Sequence, residues 1–325
     1  MKQKNLSKKI RKISIMSSSH NKPHIWFTET MTQGYSVQTA ISNHFHSTQS
    51  KFQYVEVVDT PAFGKCLILD GHIQSSSKDE FIYHESLVHT AMLSHPNPKN
   101  VFIAGGGEGA TLREVLRHKS VEKCFMVDID ADAVEVSKKY LGSHHDGAFE
   151  DPRTVLVLDD AKKWLENTDS KFDVMVMDLA DPLDNGPCFL LYTVRFYEFC
   201  ATKLSENGVL VTQAGPAGMF TASQVNTAIT KTVQKAFANA RLMLTHVPSF
   251  SDMYGFAVAS NADLPNLEGK VDELLAERLS DPSALRHFDD ETYGNMIRLP
   301  KYVRKALAEE KRLITEETPL YICDL

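Results

Sequence analysis

A glycine-rich turn between an apolar strand and a helix constrains this chain more than any other feature. Residues 101–109 read Val-Phe-Ile-Ala-Gly-Gly-Gly-Glu-Gly, and helical spacing follows over residues 111–117. Glycines at such a turn let a ligand approach bare backbone, which side chains would block. The glycine pattern alone is a weak signal, so the acidic residues around it carry the interpretation.

Two of these acidic residues indicate what kind of ligand binds. Asp128 ends the next apolar strand, residues 124–128, where a carboxylate can accept hydrogen bonds from both ribose hydroxyls of an adenosine-containing ligand. Glu108 lies inside the glycine turn and would repel a ligand phosphate or carboxylate by a few kcal/mol in a partly dry site. A ligand with a cationic tail is therefore favoured. Decarboxylated S-adenosylmethionine fits, because it keeps a sulfonium and an amine and lacks the carboxylate.

Residues 99–260 alternate strand and helix, which predicts an α/β fold with a doubly wound, Rossmann-like parallel sheet of the methyltransferase type. The predicted strands are residues 100–104, 123–128, 154–158, 172–178, 208–213, 241–247 and 254–260, and helices begin near residues 109, 131, 161, 193 and 221. Ligands bind such sheets at the carboxyl ends of the strands. Five polar residues lie at or just after predicted strand ends: Glu108, Asp128, Asp160, Asp178 and Gln213.

The flanking segments have other patterns. Residues 35–74 alternate apolar and polar residues around turns such as Asp70-Gly71, which predicts a small β domain. Residues 271–279 and 300–313 have amphipathic helical spacing. We predict four parts: a disordered basic tail (1–23), an N-terminal β domain (24–78), a catalytic domain (79–262) and a helical, acid-rich C-terminal extension (263–325).

Many stretches of residues 24–260 resemble the aminopropyltransferases, the family of spermidine and spermine synthases. The stretches are residues 26–29 (Trp-Phe-Thr-Glu), 53–59, 63–65, 69–71, 79–85 (Asp-Glu-Phe-Ile-Tyr-His-Glu), 95–98, the glycine turn and 178–182 (Asp-Leu-Ala-Asp-Pro). Residues 178–182, 186–188, 191–193, 212–218 and 246–250 are most similar to the plant-type thermospermine synthases of this family. The resemblance implies aminopropyl transfer from decarboxylated S-adenosylmethionine to spermidine, giving thermospermine and methylthioadenosine, without a prosthetic group.

The resemblance also implies roles for individual residues. Asp178 matches the catalytic aspartate, and Tyr83 helps it to hold the acceptor amine. The positions that match donor-binding residues are Gln53, His84, Gly105, Gly107, Glu108, Asp128, Ile129, Asp160, Ala161, Pro187 and Cys188. The acceptor-binding candidates are Tyr83, Glu108, Asp178, Asp181, Gln213 and Phe250.

The chemistry requires a proton acceptor. Polyamine amines have an intrinsic pKa of about 10 and are protonated at neutral pH, so the attacking nitrogen must lose a proton, and Asp178 can accept or relay it. Phe250 lacks the hydroxyl with which spermidine synthases bind a short diamine, and residues 214–218 lack bulky side chains. These departures favour a longer, less polar tunnel that suits spermidine over putrescine. Register along the tunnel, which separates thermospermine from spermine, is not readable from sequence.

Alternatives stay open. The chain can be a spermine or spermidine synthase, an amine N-methyltransferase that uses S-adenosylmethionine, or a non-catalytic polyamine-binding protein. Asp128 and Asp160 can be helix caps, Asp181 before Pro182 can serve a turn, and Tyr83 can be a core residue. Cys188 is interpreted as a packing residue. The thirteen histidines show no set at metal-ligand spacing, so no metal site is predicted.

Composition limits the partners. The formal net charge of −7 disfavours nucleic acid, and no apolar run reaches the length of a membrane span. Five cysteines without a C-x-x-C pair favour free thiols in a reducing compartment, the cytoplasm. Residues 1–20 hold six Lys or Arg and no acid, a composition that an organelle or nuclear address shares. The family resemblance implies a homodimer or homotetramer.

Overall fold

The computed structural model describes residues 25–182 and 188–322, so the predicted basic tail lies outside the described residues. The N-terminal region consists of antiparallel strands. They are β1 (Ile25–Thr32), β2 (Tyr35–Ile41), β3 (Asn43–Gln49), β4 (Tyr54–Thr60), β5 (Gly64–Leu69) and β6 (His72–Ser76). β1 and β2 form a hairpin, and β3 to β6 form a four-stranded sheet in sequential order. Asp70 and Gly71 both have positive φ, 47° and 83°, as an Asp-Gly hairpin turn requires.

The rest of the chain is built around one seven-stranded sheet. Its strands are β7 (Asn100–Gly105), β8 (Lys123–Asp128), β9 (Thr154–Leu158), β10 (Phe172–Asp178), β11 (Leu204–Pro216), β12 (Asn239–Val247) and β13 (Asp252–Ser260). The helices are α1 (Glu80–Ser94), α2 (Ala110–Leu116), α3 (Ala131–Tyr140), α4 (Gly142–His145), α5 (Ala161–Asn167), α6 (Val194–Lys203), α7 (Asn226–Ala236), α8 (Val271–Arg278), α9 (Asp290–Ile297) and α10 (Lys301–Glu309).

The strand order is β12-β13-β11-β10-β7-β8-β9. The five strands from β11 to β9 are parallel, whereas β13 and β12 run antiparallel at one edge. The chain winds outward in opposite directions from β7 and β10, so a crevice opens at their carboxyl ends. This topology confirms the predicted α/β, doubly wound fold.

Both faces of the sheet are covered. Alternate residues of β7 point to opposite faces, so Val101 and Ile103 join the core that contains α1 and α2, whereas Phe102 and Ala104 join the core that contains α6 and α7. All four side chains are fully buried. A strand that is buried on both faces has a continuous apolar sequence without alternation. The residues of β7 directly before the glycine turn have this pattern.

The C-terminal extension contributes to both cores. Val271, Leu275 and Tyr293 are buried against the face that carries α1, and Val303 and Ile314 are buried on the opposite face. The sequence interpretation did not include α9, a short helix whose first turn is capped by the Asp289 side chain. The extension is therefore part of the packed structure around the sheet.

Some element bounds differ from prediction. Helix α7 begins at Asn226 instead of near residue 221, because residues 218–225 form turns and the Thr221 hydroxyl donates to Asp252 Oδ2 at 2.5 Å. Helix α10 ends at Glu309, because the Glu310 carboxylate accepts hydrogen bonds from the backbone N–H groups of Lys311 and Arg312 and turns the chain.

Two further observations bear on the environment of the protein. Of the described cysteines, Cys66, Cys124 and Cys200 are buried, Cys188 is half-buried, and all four are free thiols. Among the described residues, no helix is long and apolar enough to cross a bilayer.

Candidate active site

A cavity of about 160 Å³ lies at the carboxyl ends of β7, β8 and β10, partly covered by the N-terminal region. It collects most of the predicted site residues from eight separate segments of the chain. The predicted residues that line it are Gln53, Tyr83, Gly105, Gly107, Glu108, Asp128, Ile129, Asp160, Ala161, Asp178, Cys188 and Phe250. Pro187 lies outside the described residues.

The glycine turn lies tightly against two carboxylate-bearing strand ends. Gly105 has a φ of 78°, and a Cβ there would lie 2.2 Å from the backbone oxygen of Asp178. A Cβ on Gly107 would lie 2.9 Å from a carboxylate oxygen of Asp128. Any side chain at these positions would push Asp178 or Asp128 out of the cavity, so the glycines place both carboxylates beside the turn.

Asp178 is held by two hydroxyl groups. Tyr83 Oη donates to its Oδ1 at 2.9 Å, and Thr111 Oγ1 donates to its Oδ2 at 2.5 Å. Burial, with a further contribution from the negative charge of Glu108, raises the pKa of Asp178 to about 6 despite these bonds. The carboxylate is thus oriented, and it titrates near the pH at which it would act as a base.

Glu108 is the first member of a buried chain of charged groups. Its Oε1 lies 2.8 Å from His84 Nε2, and His84 Nδ1 lies 2.9 Å from Glu80 Oε2. Arg113 donates to both oxygens of Glu80, at 3.0 and 2.9 Å. Burial opposes a charge on His84, but its bonds to Glu108 and Glu80 prevail and raise the pKa of its ring to about 10. His84 therefore lies behind Glu108 as a cation, outside the cavity lining, and its contact with the donor stays a prediction.

One atom each of His84, Glu108 and Asp178 lie within 4.8 Å of one another, a spacing that a metal ion could bridge. Both ring nitrogens of His84 already contact carboxylates. The cluster is accounted for by ion pairing and carries no metal assignment.

The other end of the cavity is formed around Asp128. Its Oδ1 accepts a hydrogen bond from the backbone N–H of Asp130 at 2.8 Å, and burial raises its pKa to about 7. Asp130, not Asp128, caps α3, and it also accepts a bond from Gln53 Nε2 at 2.8 Å. Asp160 does cap a helix, since its side chain accepts from the N–H of Lys163 in the first turn of α5. The capping explanation therefore holds for Asp160 and is wrong for Asp128.

Cys188 lines the cavity and is half-buried. Burial raises the pKa of its thiol to about 12, so the sulfur is neutral at physiological pH. This state agrees with a packing role and disfavours a nucleophile.

A second cavity of about 100 Å³ adjoins the first and contains Asp181. The two cavities share a wall formed by Gln53, Leu69, Gln74, Ala180, Phe250 and Tyr254. Asp181 Oδ1 accepts hydrogen bonds from Gln213 Nε2 at 3.0 Å and from Tyr254 Oη at 2.8 Å. Gln213 is fully buried and lines neither cavity. It lies behind Asp181 and donates a hydrogen bond to it.

The sequence interpretation missed four polar residues that support the site: Thr111, Tyr254, Glu80 and Arg113. Tyr254 supplies a hydroxyl near Asp181 although Phe250 cannot, so the channel is less apolar than expected. The rings of Phe250 and Tyr254 are in edge-to-face contact, with their centroids 5.1 Å apart. Thr111 is the second residue of α2, directly after the glycine turn, and from this position its hydroxyl reaches the end of β10 at Asp178. The sequence contains no comparable signal for Arg113.

Comparisons with known proteins agree on one family. The model of the spermine/spermidine synthase domain matches residues 80–268, and the model of the spermidine synthase tetramerisation domain matches residues 25–77. Thermospermine synthase ACAULIS5 of Arabidopsis thaliana is 41% identical over 91% of this chain and 87% of its own length. The polyamine aminopropyltransferase of Aeropyrum pernix is 40% identical over 91% of this chain and 95% of its own length.

Solved structures extend the similarity to the fold. The spermidine synthase of Thermotoga maritima superposes with a TM-score of 0.79 at 29% identity, covering 90% of this chain and 98% of its own. A spermidine synthase in complex with the transition-state analogue AdoDATO gives a TM-score of 0.80 at 30% identity, with the same coverage. The chain therefore belongs to the spermine/spermidine synthase family and is an aminopropyltransferase.

Proposed function

We propose that this enzyme transfers the aminopropyl group of decarboxylated S-adenosylmethionine to spermidine, giving thermospermine and methylthioadenosine. The observation that carries the proposal is the position of Asp178, which Tyr83 and Thr111 orient in the first cavity, beside the wall shared with the second. The acceptor amine attacks the aminopropyl carbon bonded to the sulfonium, and the carbon–sulfur bond breaks as methylthioadenosine leaves. The amine proton passes to Asp178.

The first cavity would bind the donor, and the second would bind the part of the acceptor that does not react. Asp128 and the glycine turn would hold the nucleoside, and Glu108 would hold the amine of the donor. Glu108 lines the cavity whereas its cationic partner His84 does not, so the charge nearest the donor is negative, which favours the decarboxylated donor over one that carries a carboxylate. Attraction between the carboxylates and two cationic substrates would offset the repulsion between those substrates.

The choice of spermidine rests on the second cavity. The plant thermospermine synthase and the archaeal polyamine aminopropyltransferase are almost equally similar to this chain, so identity does not select the acceptor. The second cavity, which Asp181 lines, gives room for an acceptor longer than a diamine. We further propose a homodimer or homotetramer, supported by the match to the tetramerisation domain, and a cytoplasmic location, as the cysteine pattern predicts.

The test is incubation of the purified protein with decarboxylated S-adenosylmethionine and either putrescine or spermidine, followed by chromatography that separates thermospermine from spermine. Parallel reactions contain ordinary S-adenosylmethionine. We expect thermospermine from spermidine. Spermidine made from putrescine as the main product would overturn the acceptor assignment. Spermine made from spermidine would overturn the choice of the end of spermidine that receives the aminopropyl group. Methylated amine, or no product from either donor, would overturn the proposed function.

A further inference from the structure

A buried carboxylate on α1, Glu80, lies behind the lining of the first cavity. Its side chain contacts two cations, His84 on the same helix and Arg113 on α2, each at 2.9 Å. His84 in turn lies 2.8 Å from Glu108, which lines the first cavity, whereas Glu80 lines neither cavity. Any effect of Glu80 on a bound donor therefore passes through His84.

The contacts of His84 require a proton on both of its ring nitrogens. Nδ1 lies 2.7 Å from the backbone carbonyl oxygen of Glu80 and 2.9 Å from its carboxylate, and Nε2 lies 2.8 Å from the Glu108 carboxylate. Carbonyl oxygens and ionised carboxylates only accept hydrogen bonds, so each nitrogen donates, and a ring that donates from both nitrogens is the imidazolium cation.

Glu80 helps to hold this charge against the cost of burial. Burial disfavours a cation on His84, and the pKa of the ring is nevertheless raised to about 10, because Glu108 and Glu80 both bind it. Burial also opposes the charge of Glu80, but its bonds to His84 and Arg113 prevail and lower its pKa to about 2. Without the Glu80 charge, a single carboxylate would oppose the effect of burial, and the ring would lose its proton at a lower pH.

Tyr83, Asp178 and His144 also lie near His84, and their charges are constant at mildly alkaline pH. The rings of Tyr83 and His84 pack edge to face with centroids 5.0 Å apart, and burial raises the pKa of Tyr83 well above its usual value. An oxygen of Asp178 lies within 4.8 Å of a His84 nitrogen, and burial raises the pKa of Asp178 only to about 6. His144 on α4 interacts electrostatically with His84, and burial lowers the pKa of its ring to about 4.

The charge of His84 opposes the binding of the donor amine. In the proposed function Glu108 holds that amine, which is a cation at neutral pH. Two cations at one carboxylate repel each other, so loss of the proton from His84 would strengthen the binding of the amine. Donor affinity would then change with pH if His84 titrated near neutral pH.

We propose that Glu80 is a positioning residue that keeps His84 protonated, so that Glu108 binds the amine of the donor with an affinity that stays constant around neutral pH. The proposal rests on the function proposed above, in which Glu108 holds that amine. Arg113 supports this role, because it balances the charge of Glu80 and leaves the carboxylate ionised.

A plainer role for Glu80 is to fasten α1 to α2. Glu114 provides a matched comparison, because it is also a buried carboxylate that contacts Arg113, at 2.7 Å, and one histidine, His89, at 3.1 Å. Glu114 lines neither cavity. Glu114→Gln therefore reports what the loss of a buried carboxylate beside Arg113 does while His84 keeps both of its partners.

The experiment compares two thioethers of adenosine that do not react. One carries a 3-aminopropyl group on the 5′ sulfur, and the other carries a propyl group, which is the same chain with hydrogen in place of the amino group. The ratio of their dissociation constants isolates the binding of the ammonium, since the nucleoside is shared. Calorimetry from about pH 7.5 to about pH 9 keeps the amine protonated, because its pKa is about 10.

In the wild type and in Glu114→Gln we expect this ratio to stay constant with pH. In Glu80→Gln the preference for the amine should rise about ten-fold with pH, because His84 loses its proton and the ammonium becomes the main cation at Glu108. The rise should disappear when His84→Gln is added, since no ring remains to titrate. A constant ratio in Glu80→Gln, an equal rise in Glu114→Gln, or a rise that persists in the double variant would overturn the proposal.

Nitrogen NMR of the full-length protein with isotope-labelled histidine measures the ring directly, with His84 assigned by the signals missing from His84→Gln. The wild-type ring should stay cationic up to about pH 9, and Glu80→Gln should lower its affinity for the proton at least ten-fold. A wild-type ring that loses its proton near neutral pH would overturn the proposal even if Glu80→Gln did not fold.

The same measurements separate this inference from the proposed function. If the wild type binds the two thioethers equally, the placement of the donor amine at Glu108 fails, and this inference fails with it. If the wild type prefers the amine but Glu80→Gln leaves the ratio and the ring unchanged, only the present inference fails.

Discussion

His84 Nε2 and Glu108 Oε1 lie 2.8 Å apart, and both side chains are almost completely withdrawn from solvent. The carboxylate of the glycine turn is therefore compensated by a cation before any substrate binds. The sequence argument had treated Glu108 as an unpaired charge. Its pairing means that the donor amine would share a carboxylate with His84, so the state of His84 affects both the fold and the substrate site.

The first prediction concerns stability. Folding raises the pKa of His84 from 6.5 to about 10, so its protonated form stabilises the fold fully below its ordinary pKa, and this contribution is lost as pH rises through 10. His84→Gln should lower the free energy of unfolding by roughly 3 kcal/mol at neutral pH, because Glu80 and Glu108 lose their shared cation. The difference should shrink at higher pH in urea unfolding measured at several pH values. An undiminished difference at high pH would contradict it, and His44→Gln, at an exposed pair, is the control.

The second prediction concerns the acid limb of activity. Burial raises the pKa of Asp128 to about 7 and that of Asp178 to about 6, and the charge of Glu108 adds to both shifts. Activity should therefore fall as pH drops and these carboxylates become protonated. Glu108→Gln removes the neighbouring charge, so the acid limb of kcat/KM should move to lower pH even though the rate itself is smaller. A limb that stays in place or moves to higher pH would show that Glu108 does not influence these groups.

The third prediction separates the base from the binding site. Asp178→Asn keeps the shape of the side chain but cannot take the amine proton, so kcat should fall by about 10²- to 10⁴-fold. Binding of methylthioadenosine, measured by calorimetry, should change little. Asp173 lies at the other end of the same strand and accepts the backbone N–H groups of Lys99 and Asn100. Asp173→Asn should leave kcat intact, and a normal kcat in Asp178→Asn would exclude Asp178 as the base.

The fourth prediction uses two tyrosines that donate to different carboxylates. Tyr83→Phe leaves Asp178 without one of its two donors, and kcat should fall about ten-fold. Tyr254→Phe removes a donor from Asp181 instead, so the acceptor KM should rise while kcat changes less. Steady-state kinetics with the acceptor varied at saturating donor separates the two parameters. The same response in both variants would mean that the hydroxyls act on one shared step.

Much of the fold could be predicted because its signals are local. The apolar runs over β7 and β10 predict strands buried on both faces, and the positive φ angles at Asp70 and Gly71 follow from a residue pair that favours them. The start of α7 was missed because it depends on Thr221 reaching Asp252, a contact between residues distant in sequence. Helix α9 was missed although it is as long as α8, because Gly294 lies inside it and a glycine in a helix interior weakens the local helical signal.

In the site too, the features with local sequence signals could be predicted, and those that depend on distant contacts could not. Glycines and strand-end carboxylates locate the cavity, because the ends of parallel strands meet at one edge of a sheet. The polar residues behind these carboxylates are brought there by contacts between segments that are distant in sequence. The link from Glu108 through His84 and Glu80 to Arg113 joins two helices and a loop. The sequence contains no signal for this link, and the donor contact predicted for His84 rests on the family resemblance. Likewise, Gln213 was expected at the acceptor, but the sequence could not reveal that it faces Asp181.

The wall shared by the two cavities also bears on how such enzymes diversify. Leu69 and Gln74 in this wall, and Glu29 and His72 beyond it, belong to the N-terminal strands, whereas Asp178 belongs to the central sheet. One side of the channel is thus encoded separately from the carboxylate that performs the transfer, whereas Asp181, Phe250 and Tyr254 on the other side belong to the same part of the chain as that carboxylate. Mutation and selection can therefore reshape one side of the channel through the N-terminal strands alone, while the reacting carboxylate and its supports stay as they are.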